Sequence, residues 1–535
     1  MPHPPLTRHA WRAALALAAS LSAACGGDPK PPPTPDPPQV ALTVPESNVA
    51  GTSLKVIVNV TGCDTVSSLN LLDRETFLKT FTYAGKDTTL ELLSADIPYK
   101  TVGLSASLAL VAEAVCDDGR KNKSQPQPAV FFPVTRVVDD PQAREQVFTM
   151  PFVAEGTGTN VAFLGCKGPT AGAHTLYRQP LSGTAQSVAM PTLCTPNTVI
   201  SAPASDGTRW VWTPGSSAFA VDPSFQITSR SHPDLAIGTL TVMDNGDALI
   251  RNQSAGRIIR LSRRAPSPGG VGTEIWVFEY QTGKVGYPLA PLKVRNGRVL
   301  VASQYPSGDG RAQIIVEELD AGDSNPATGG TLLTQHVIRD VLSTSVEPPV
   351  PAAAFSADGS VLYLGFYPVA TDRSQVVACA SDADGCEGAN SRWSSIQLVG
   401  PVRALIPYAN DSRLAAVGTQ RVWPLATADG VVRGKDSTSV DANGALNVLY
   451  MLPSRPPSTD VFFLNGPARV GQSASLPVEI VGMDQSSSGE GREVFRYQVA
   501  VSMGAAVDGD GRLWLRTGGK FHQALPISQY RSARP

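Results

Sequence analysis

Short runs of large apolar residues, separated by turn-forming Gly, Asn and Asp, recur along most of the chain. Between residues 39 and 138 these runs lie at 54–60, 69–81, 88–93, 104–115 and 129–132. Short strands at this spacing, without helix caps, are typical of a β-sandwich of about 100 residues. The Ala- and Leu-rich run at 104–115 also suits a surface helix, which would make the domain mixed rather than purely β.

From about Asp139 to the end, a second pattern repeats. A tight turn carries Gly, Asn or Asp, and a short strand of alternating apolar residues follows it. Asn-Gly and Asp-Gly tolerate the positive φ that two-residue hairpin turns require. The turns are centred on Gly158, Gly207, Gly246, Gly297, Gly359, Asp411, Gly444 and Gly511. Their mean spacing of about 50 residues is typical of propeller blades, each of which is a four-stranded sheet packed against its neighbours around a channel.

The predicted fold is therefore all-β, with a sandwich over residues 39–138 and a β-propeller over residues 139–535. Seven blades are favoured. Eight are the alternative, and the first strand of the region is a candidate to close the ring by joining the last blade. Two or three stacked sandwiches would give similar turns without a common period. The sandwich is expected to stay folded when residues 139–535 are deleted.

Two resemblances agree with this architecture. The hairpin sequences DGRLW at 510–514 and DGSVLY at 358–363 resemble the D-G-x-L-W/Y hairpins of NHL-like and two-component-regulator-type propellers. Residues 39–138 resemble a bacterial immunoglobulin-like domain, with Cys63 closing the second strand and Cys116 closing the penultimate one. The Trp of antibody-type domains is absent between these cysteines, so the second resemblance is to the architecture alone.

Composition and charge exclude several classes of protein. Hydrophobic residues make up 42% of the chain, which is enough for packed cores. The 48 glycines and 45 prolines disfavour coiled coils and long helical arrays. A net charge of −2 lacks the concentrated positive charge that nucleic-acid binding needs, so no nucleic-acid partner is expected.

The N-terminus has the parts of a secretory signal: Arg8 and Arg12, an apolar run at 13–24, and small residues at the end of that run. The run is too short to span about 30 Å of hydrocarbon. The sequence LSAAC at 21–25 resembles the lipobox of bacterial lipoproteins, although Ser22 stands where Leu is usual. The resemblance implies that residues 1–24 are a cleaved signal peptide and that Cys25 carries the lipid. An ordinary signal with an incidental cysteine is the alternative.

Residues 25–38 form a proline-rich segment behind this cysteine. Proline fixes φ and removes the amide donor, so the segment is expected to be an extended polyproline II tether. At ~3.1 Å per residue, residues 29–38 would hold a folded body about 30 Å from its anchor. We therefore expect an envelope protein that is held by its lipid at the outer membrane, on the periplasmic or the surface face.

Six cysteines follow Cys25, an even number in an exported chain, where disulfides persist. We predict three local disulfides by joining nearest neighbours, although six cysteines allow fifteen connectivities. The predicted pairs are Cys63–Cys116, Cys166–Cys194 and Cys379–Cys386. Metal ligation is the less favoured interpretation, because the pairs lack two-residue zinc spacing and have no nearby histidine.

Signals for catalysis are scarce. The sequence contains no G-x-S-x-G, H-E-x-x-H, P-loop or G-x-G-x-x-G motif. Trp210 and Trp212 share a strand face, where blade core is favoured over an aromatic platform for sugars. The histidines beyond the signal lie far apart without ligand spacing, and we interpret them as surface or core residues: His174, His232, His336 and His522.

Two acidic pairs, Asp382 with Asp384 and Asp508 with Asp510, place carboxylates two residues apart, as some Ca²⁺ loops do. Neither pair continues into a loop that ends in a bidentate Glu. Asp also caps tight turns by accepting hydrogen bonds from its own backbone, so turn residues are the favoured interpretation. No cofactor is expected, and Ca²⁺ is the weak alternative.

Three classes of function stay open. We favour a lipid-anchored envelope protein whose propeller binds a protein, glycan or small ligand without turnover, through loops on one face. A lactonase- or glycosidase-like propeller hydrolase or lyase, with carboxylates at the channel mouth, and a structural lipoprotein of an envelope assembly are the alternatives. Extra length in a repeat usually forms loops on the binding side. The binding surface is therefore expected near the loops at 307–310 and 453–457 and the channel mouth.

The first testable prediction concerns the anchor. A palmitate analogue supplied to growing cells should label the wild-type protein and should not label Cys25→Ala, because the thiol of Cys25 is the predicted acceptor of the lipid. Equal labelling of the two forms would rule out lipidation at this residue.

Overall fold

The computed structural model describes residues 35–527 except 46–47, 98–106, 141–151, 171–172, 196, 253–255, 281–286, 308–310, 343–351, 368–372, 434–436, 439–445, 456–457, 459, 468–477, 485–491, 500–503 and 518. The predicted signal peptide, Cys25 and most of the tether lie outside these residues. Strands and short 3-10 turns form the architecture. Within the described residues, the 3-10 turns are Ser94–Asp96, Pro326–Thr328 and Gly388–Asn390. Within the described ranges, no helix is long and apolar enough to cross a membrane.

The N-terminal region is a sandwich of two sheets. One sheet has the order β1-β3-β6, and contains β1 (Gln39–Thr43), β3 (Ser53–Thr61) and β6 (Thr88–Leu93). The other contains β2 (Asn48–Gly51), β4 (Val66–Asp73), β5 (Thr76–Phe81), β7 (Ser107–Cys116), β8 (Lys121–Lys123) and β9 (Gln127–Asp139). Alternate residues of β3 (Leu54, Val56 and Val58) are buried, as expected for a strand with one face on the core. Residues 107–116 form a strand, so the helical alternative for this run is wrong.

Eight sheets follow, which we call blades 1 to 8 in chain order. Blade 1 contains β10 (Phe152–Glu155), β11 (Ala162–Thr170), β12 (Ala173–Pro180) and β13 (Gln186–Ala189). Blade 2 contains β14 (Val199–Ile200), β15 (Arg209–Trp212), β16 (Ala218–Val221) and β17 (Ile227–Arg230). Blade 3 contains β18 (Ile237–Val242), β19 (Ala248–Asn252), β20 (Arg257–Leu261) and β21 (Glu274–Glu279). Blade 4 contains β22 (Tyr287–Pro288), β23 (Lys293–Arg295), β24 (Arg298–Ser307), β25 (Arg311–Asp320) and β26 (Leu332–Leu342).

The second half of the ring repeats this plan. Blade 5 contains β27 (Ala352–Phe355), β28 (Val361–Phe366), β29 (Arg373–Ala380), β30 (Ser391–Ser394) and β31 (Leu398–Val399). Blade 6 contains β32 (Val402–Tyr408), β33 (Arg413–Gly418), β34 (Arg421–Ala426) and β35 (Ser437–Thr438). Blade 7 contains β36 (Leu446–Pro453), β37 (Val461–Pro467), β38 (Val478–Asp484) and β39 (Arg492–Val499). Blade 8 contains β40 (Gly504–Val507), β41 (Leu513–Thr517) and β42 (Lys520–Ala524), and its fourth strand is β9.

The strand β9 belongs to both the sandwich and the ring. Its residues 127–130 pair antiparallel with β7, and residues 130–133 pair parallel with β2. Beyond them, residues 134–139 pair antiparallel with β42, with Val138 opposite Phe521. The described strands therefore form a ring of eight blades, the alternative to the favoured seven, and it is closed by a strand that precedes the first blade. The predicted boundary between residues 138 and 139 falls inside this strand.

One apolar core fills each interface between neighbouring blades, and every blade contributes to two of them. Representative pairs run in order around the ring: Leu176 with Val221, Trp210 with Ile250, Leu249 with Val301, Leu300 with Leu364, Tyr363 with Leu414, Val417 with Val461, Phe462 with Leu515, and Trp514 with Phe163. The last pair joins blade 8 to blade 1. Stacked sandwiches would not produce this cyclic series, so that alternative is wrong.

The sandwich and blades 7 and 8 share one apolar core. Phe132 of β9 is fully buried and stacks on Tyr497, with ring centroids 4.7 Å apart. It also meets the edge of Phe495 at 5.1 Å. Removing the ring would expose Phe132 to water, so the structure gives no support to the expectation that the sandwich stays folded alone.

Seven of the eight predicted turn residues occupy one place in the repeat, between the first and second strands of a blade. The glycines there have φ between 58° and 88°, which side-chain-bearing residues rarely adopt. In blade 6 this turn contains no glycine, and the residues with positive φ are Ala409, Asn410 and Asp411. Gly444 is the exception, because it precedes β36 and lies outside the described residues. The corresponding turn of blade 7 is the segment 454–460, which contains no Gly.

The structure joins the six cysteines in the predicted pairs, Cys63–Cys116, Cys166–Cys194 and Cys379–Cys386. The first pair lies at the end of the sandwich where β7 finishes. The second connects β11 to the segment after β13 within blade 1, and the third closes a short loop after β29 of blade 5. Each disulfide therefore fixes a segment within the sandwich or within one blade. The closure of the ring depends on strand pairing instead.

Candidate functional site

The hairpins of a blade alternate between the two faces of the ring, because successive antiparallel strands run in opposite directions. The turns between first and second strands, and between third and fourth strands, lie on one face, which we call the turn face. The connections between second and third strands lie on the opposite face. The predicted loop at 453–457 follows the first strand of blade 7, whereas Ser307 and Arg311 flank the connection between β24 and β25. The expectation that these two loops share one binding surface is therefore wrong.

The two acidic residues of blade 8 stabilise turns. Asp508 does so within its own turn, and Asp510 connects neighbouring turns. Asp508 is fully buried, and its Oδ1 accepts the backbone amides of Asp510 (2.9 Å) and Arg512 (3.0 Å). Its Oδ2 accepts the indole N–H of Trp514 at 2.8 Å. Asp510 instead accepts the amide of Gly158 in the turn of blade 1, at 2.7 Å. The interpretation of this pair as turn residues is favoured over a Ca²⁺ site.

The acidic pair of blade 5 fixes the disulfide loop to blade 4. Asp382 lies 3.3 Å from Arg295, and Asp384 Oδ1 accepts the amide of Val337 in β26 at 2.9 Å. The amide of Gly385 donates to the carbonyl of Val337 at 2.8 Å. The Cys379–Cys386 loop therefore covers part of the outer edge of blade 4. Among the described residues, no group of three His, Cys, Asp or Glu side chains is placed to hold a metal ion.

The other residues that the sequence singled out stay apart. His174 belongs to blade 1, where its Nδ1 accepts the amide of Cys194 at 3.0 Å. His232, His336 and His522 belong to blades 2, 4 and 8 or their connections, so the four rings do not form one site. Trp210 is fully buried in the core between blades 2 and 3, and Trp212 packs against the same core, as expected for blade core. Neither the histidines nor the tryptophans define a site.

A cavity of about 220 Å³ opens between blades 1 and 2. Glu155 at the end of β10, Arg178 on β12 and Arg209 at the start of β15 form its polar lining. The turn at Gly207 and the hairpin at Asp222 and Pro223 also border it, which places the opening on the turn face. Its apolar lining is Leu164, Leu176, Val211, Val221 and Phe225. These apolar residues are at most 5% exposed, so the polar groups converge at the opening above a packed core.

Two guanidinium groups share one carboxylate in this cavity. Glu155 Oε1 accepts from Arg178 Nε at 2.8 Å, and Glu155 Oε2 accepts from the terminal nitrogen of Arg209. Arg209 also donates to the carbonyl of Ser201 at 2.8 Å. Burial lowers the pKa of Arg209, and the neighbouring charge of Arg178 lowers it further against the opposing effect of Glu155. The shared carboxylate leaves the pair of arginines with an excess of positive charge.

Sequence reasoning missed this cavity because its polar residues come from three strands of two blades. Glu155 and Arg209 are separated by more than fifty positions, and no spacing rule links a residue near one hairpin to a residue near the next. Among the residues that border the cavity, the sequence pattern singled out Gly207, and it did so as part of a predicted turn. The turn determined where β15 begins, and therefore where Arg209 lies.

A second polar cluster is buried between blades 3 and 4. Glu317 on β25 accepts hydrogen bonds from the hydroxyls of Tyr305 (2.9 Å) and Tyr280 (3.0 Å). Arg251 on β19 donates to the hydroxyl of Ser303 at 3.1 Å and lies over the ring of Tyr280. Burial raises the pKa of the Glu317 carboxyl, although the two hydroxyl donors oppose this shift. Both carboxylate oxygens are already used, so we interpret the cluster as a network that joins two blades.

Comparisons with known proteins assign no family to this chain. No family model matches the sequence, and no curated protein matches it. BamB from Moraxella catarrhalis superposes with a TM-score of 0.43 at 11% identity, over 73% of this chain and 99% of that chain. Virginiamycin B lyase from Staphylococcus aureus gives 0.35 at 11% identity, over 73% and 99%. A quinonprotein alcohol dehydrogenase-like protein from Bacteroides thetaiotaomicron gives 0.33 at 10% identity, over 90% and 95%.

The network at Glu317 generates a prediction on pH dependence. A carboxyl whose pKa is raised on folding contributes stability below its unfolded pKa of about 4.3 and loses that contribution as pH rises through the folded value. Glu317→Gln should therefore gain in Tm relative to the wild type as pH increases from 4 to 8. Thermal unfolding across this range measures the difference. The matched control is Glu279→Gln, since the side chain of Glu279 is 60% exposed; an equal trend in both variants would contradict the assignment.

Proposed function

We propose that this protein is a lipid-anchored component of the cell envelope whose ring binds a ligand or partner without turnover, in the cavity between blades 1 and 2. The observation that carries the proposal is the cavity itself, where Glu155, Arg178 and Arg209 meet at the opening. The cavity opens on the turn face and is bordered by short hairpins of fixed geometry. A preformed site of this kind loses little conformational freedom on binding.

The size of the cavity limits what it accepts. Its volume of about 220 Å³ is below the ~300–1,000 Å³ of sites for drug-sized molecules. The cavity therefore fits a small ligand, or one or two residues presented by a larger partner.

The proposed envelope location rests on the N-terminal sequence and agrees with the arrangement of the sandwich. The carbonyls of Asp36 and Pro38 accept hydrogen bonds from Arg120 (2.7 Å) and Asn122 (2.8 Å), on the hairpin between β7 and β8. This hairpin lies beyond the start of β9, whereas the other end of β9 enters blade 8. The sandwich, which we propose to be an immunoglobulin-like module, would then stand between the lipid anchor and the ring.

A photo-crosslinking experiment tests the proposed site. A benzophenone amino acid replaces Pro203, which is exposed and lines the cavity. Irradiation of intact cells should give a discrete adduct, identified by mass spectrometry, because a ligand bound there lies within reach. The control position is Ala357, an exposed residue in the equivalent turn of blade 5.

A second variant separates specific binding from chance contact. Pro223→Trp adds bulk at the exposed edge of the cavity and should abolish the adduct formed at position 203 without changing Tm. Equal adducts at positions 203 and 357, or an adduct at 203 that survives Pro223→Trp, would contradict a binding site in this cavity. A ligand recovered in chemically altered form would contradict binding without turnover.

A further inference from the structure

Arg178 has hydrogen-bonding capacity that the protein does not use. Its Nε donates to Glu155, and no other hydrogen bond of its guanidinium occurs within the described part of the chain. The side chain is 38% exposed and lines the cavity, whereas that of Arg209 is 14% exposed and also holds Ser201. The terminal nitrogens of Arg178 are therefore the accessible donors of the site. A planar guanidinium with two free terminal nitrogens suits a carboxylate, which it can bind through two parallel hydrogen bonds.

The charge around Arg178 favours an anion. Two guanidinium groups compete for the single carboxylate of Glu155, so a second carboxylate would balance the pair. Asp222 also lines the cavity, but its Oδ1 accepts the amide of Gln226 at 2.8 Å and thereby caps its own hairpin. Its charge is not paired with either arginine, so it does not replace the missing anion.

The apolar lining offers little surface to a ligand. Leu176 and Val211 are fully buried in the core between blades 1 and 2, and Leu164, Val221 and Phe225 are at most 5% exposed. The polar groups at the opening are therefore the part of the site that a ligand contacts, and they determine its chemical class.

We propose that the cavity binds a carboxylate, which is held by the terminal nitrogens of Arg178. The proposal rests on the proposed function, because it assigns a chemical class to the ligand of the same cavity. A free amino acid and the C-terminal residue of a peptide both carry this chemistry. The two sources differ in whether the amine is free or acylated.

Titration of the purified chain with three probes tests the class of ligand. The probes are N-acetyl-L-leucine, L-leucine and N-acetyl-L-leucinamide, and binding is measured by calorimetry or by ligand-observed NMR. At about 12 non-hydrogen atoms, N-acetyl-L-leucine is expected to bind with a Kd of about 1 mM. The amide should bind about 10- to 100-fold more weakly, because it cannot form the charge-assisted pair with Arg178. Stronger binding of L-leucine indicates a free amino acid, and stronger binding of N-acetyl-L-leucine indicates a peptide C-terminus.

Two arginine variants locate the carboxylate. Arg178→Gln should weaken binding of the carboxylate probe by about 10- to 100-fold and leave the weak binding of the amide unchanged. Folding should be retained, because Arg209 continues to neutralise Glu155. Arg257→Gln is the matched control, since Arg257 is an exposed arginine with one carboxylate partner, Glu279, in blade 3. Its affinity for the carboxylate probe should equal that of the wild type.

The outcomes separate this proposal from the proposed function. Equal binding of acid and amide, or no loss of binding in Arg178→Gln, overturns the carboxylate assignment while the cavity remains a binding site. No binding of any probe, together with a specific adduct at position 203, also overturns the assignment alone. No binding of any probe and no adduct at position 203 overturns both.

Discussion

The pairing of β9 with β42 is the interaction on which the rest of the structure depends. Each blade buries its two faces only against neighbours, so a ring with one unpaired end would expose a large apolar surface on its first and last blades. Residues 134–139 prevent this exposure, because they supply the outer strand of blade 8 from a position before blade 1. Thr135 and Gln523, which form a hydrogen bond across this junction, are 388 residues apart in sequence.

Because β9 belongs to both regions, the stability of the ring also depends on the sandwich. Residues 127–130 of β9 are held by β7, and Phe132 lies between the sandwich and the aromatic residues of blade 7. Motion of the sandwich relative to the ring would have to break strand pairing or open a shared apolar core. A tethered domain on a flexible linker would have neither constraint. The two regions therefore form one mechanical unit, with the cavity of blades 1 and 2 close to its closure.

Local sequence signals predicted the elements of this fold, and long-range pairing decided their number and connection. The Asp-Gly and Asn-Gly turns located the first hairpin of five blades, and Gly158 located that of blade 1, because tolerance of positive φ is a property of the residue itself. Blade 7 escaped this signal, since its turn at 454–460 contains Ser and Pro instead of Gly. Seven blades were favoured because the first strand of residues 139–535 was a candidate to join the last blade, whereas the strand that joins it is β9. Its apolar pattern continues through Val134, Val137 and Val138, but nothing local shows that these residues pair with β42.

The candidate site was harder to predict than the fold. Asp508 and Asp382 carried a visible pattern, and the structure uses both to hold turns and loops. Glu155, Arg178 and Arg209 carried none, since each is an isolated charged residue on a short strand. Arg178 and Arg209 meet at the carboxylate of Glu155 only because blade 1 packs against blade 2. Their position next to a cavity depends on how the blades pack in three dimensions. A pattern along the sequence does not contain that information.

The most direct test of the shared-strand account is the denaturant-induced unfolding of Phe132→Ala, followed by tryptophan fluorescence. Residues 39–138 contain no Trp, and the chain used lacks residues 1–24 and therefore Trp11, so this signal reports the ring alone. Because Phe132 is fully buried against Phe495 and Tyr497, the account predicts that the ring's transition loses about 3–5 kcal/mol of stability. Phe77→Ala, at a position 57% exposed on β5, should change it by less than about 0.5 kcal/mol. An unchanged tryptophan transition in Phe132→Ala would contradict the account.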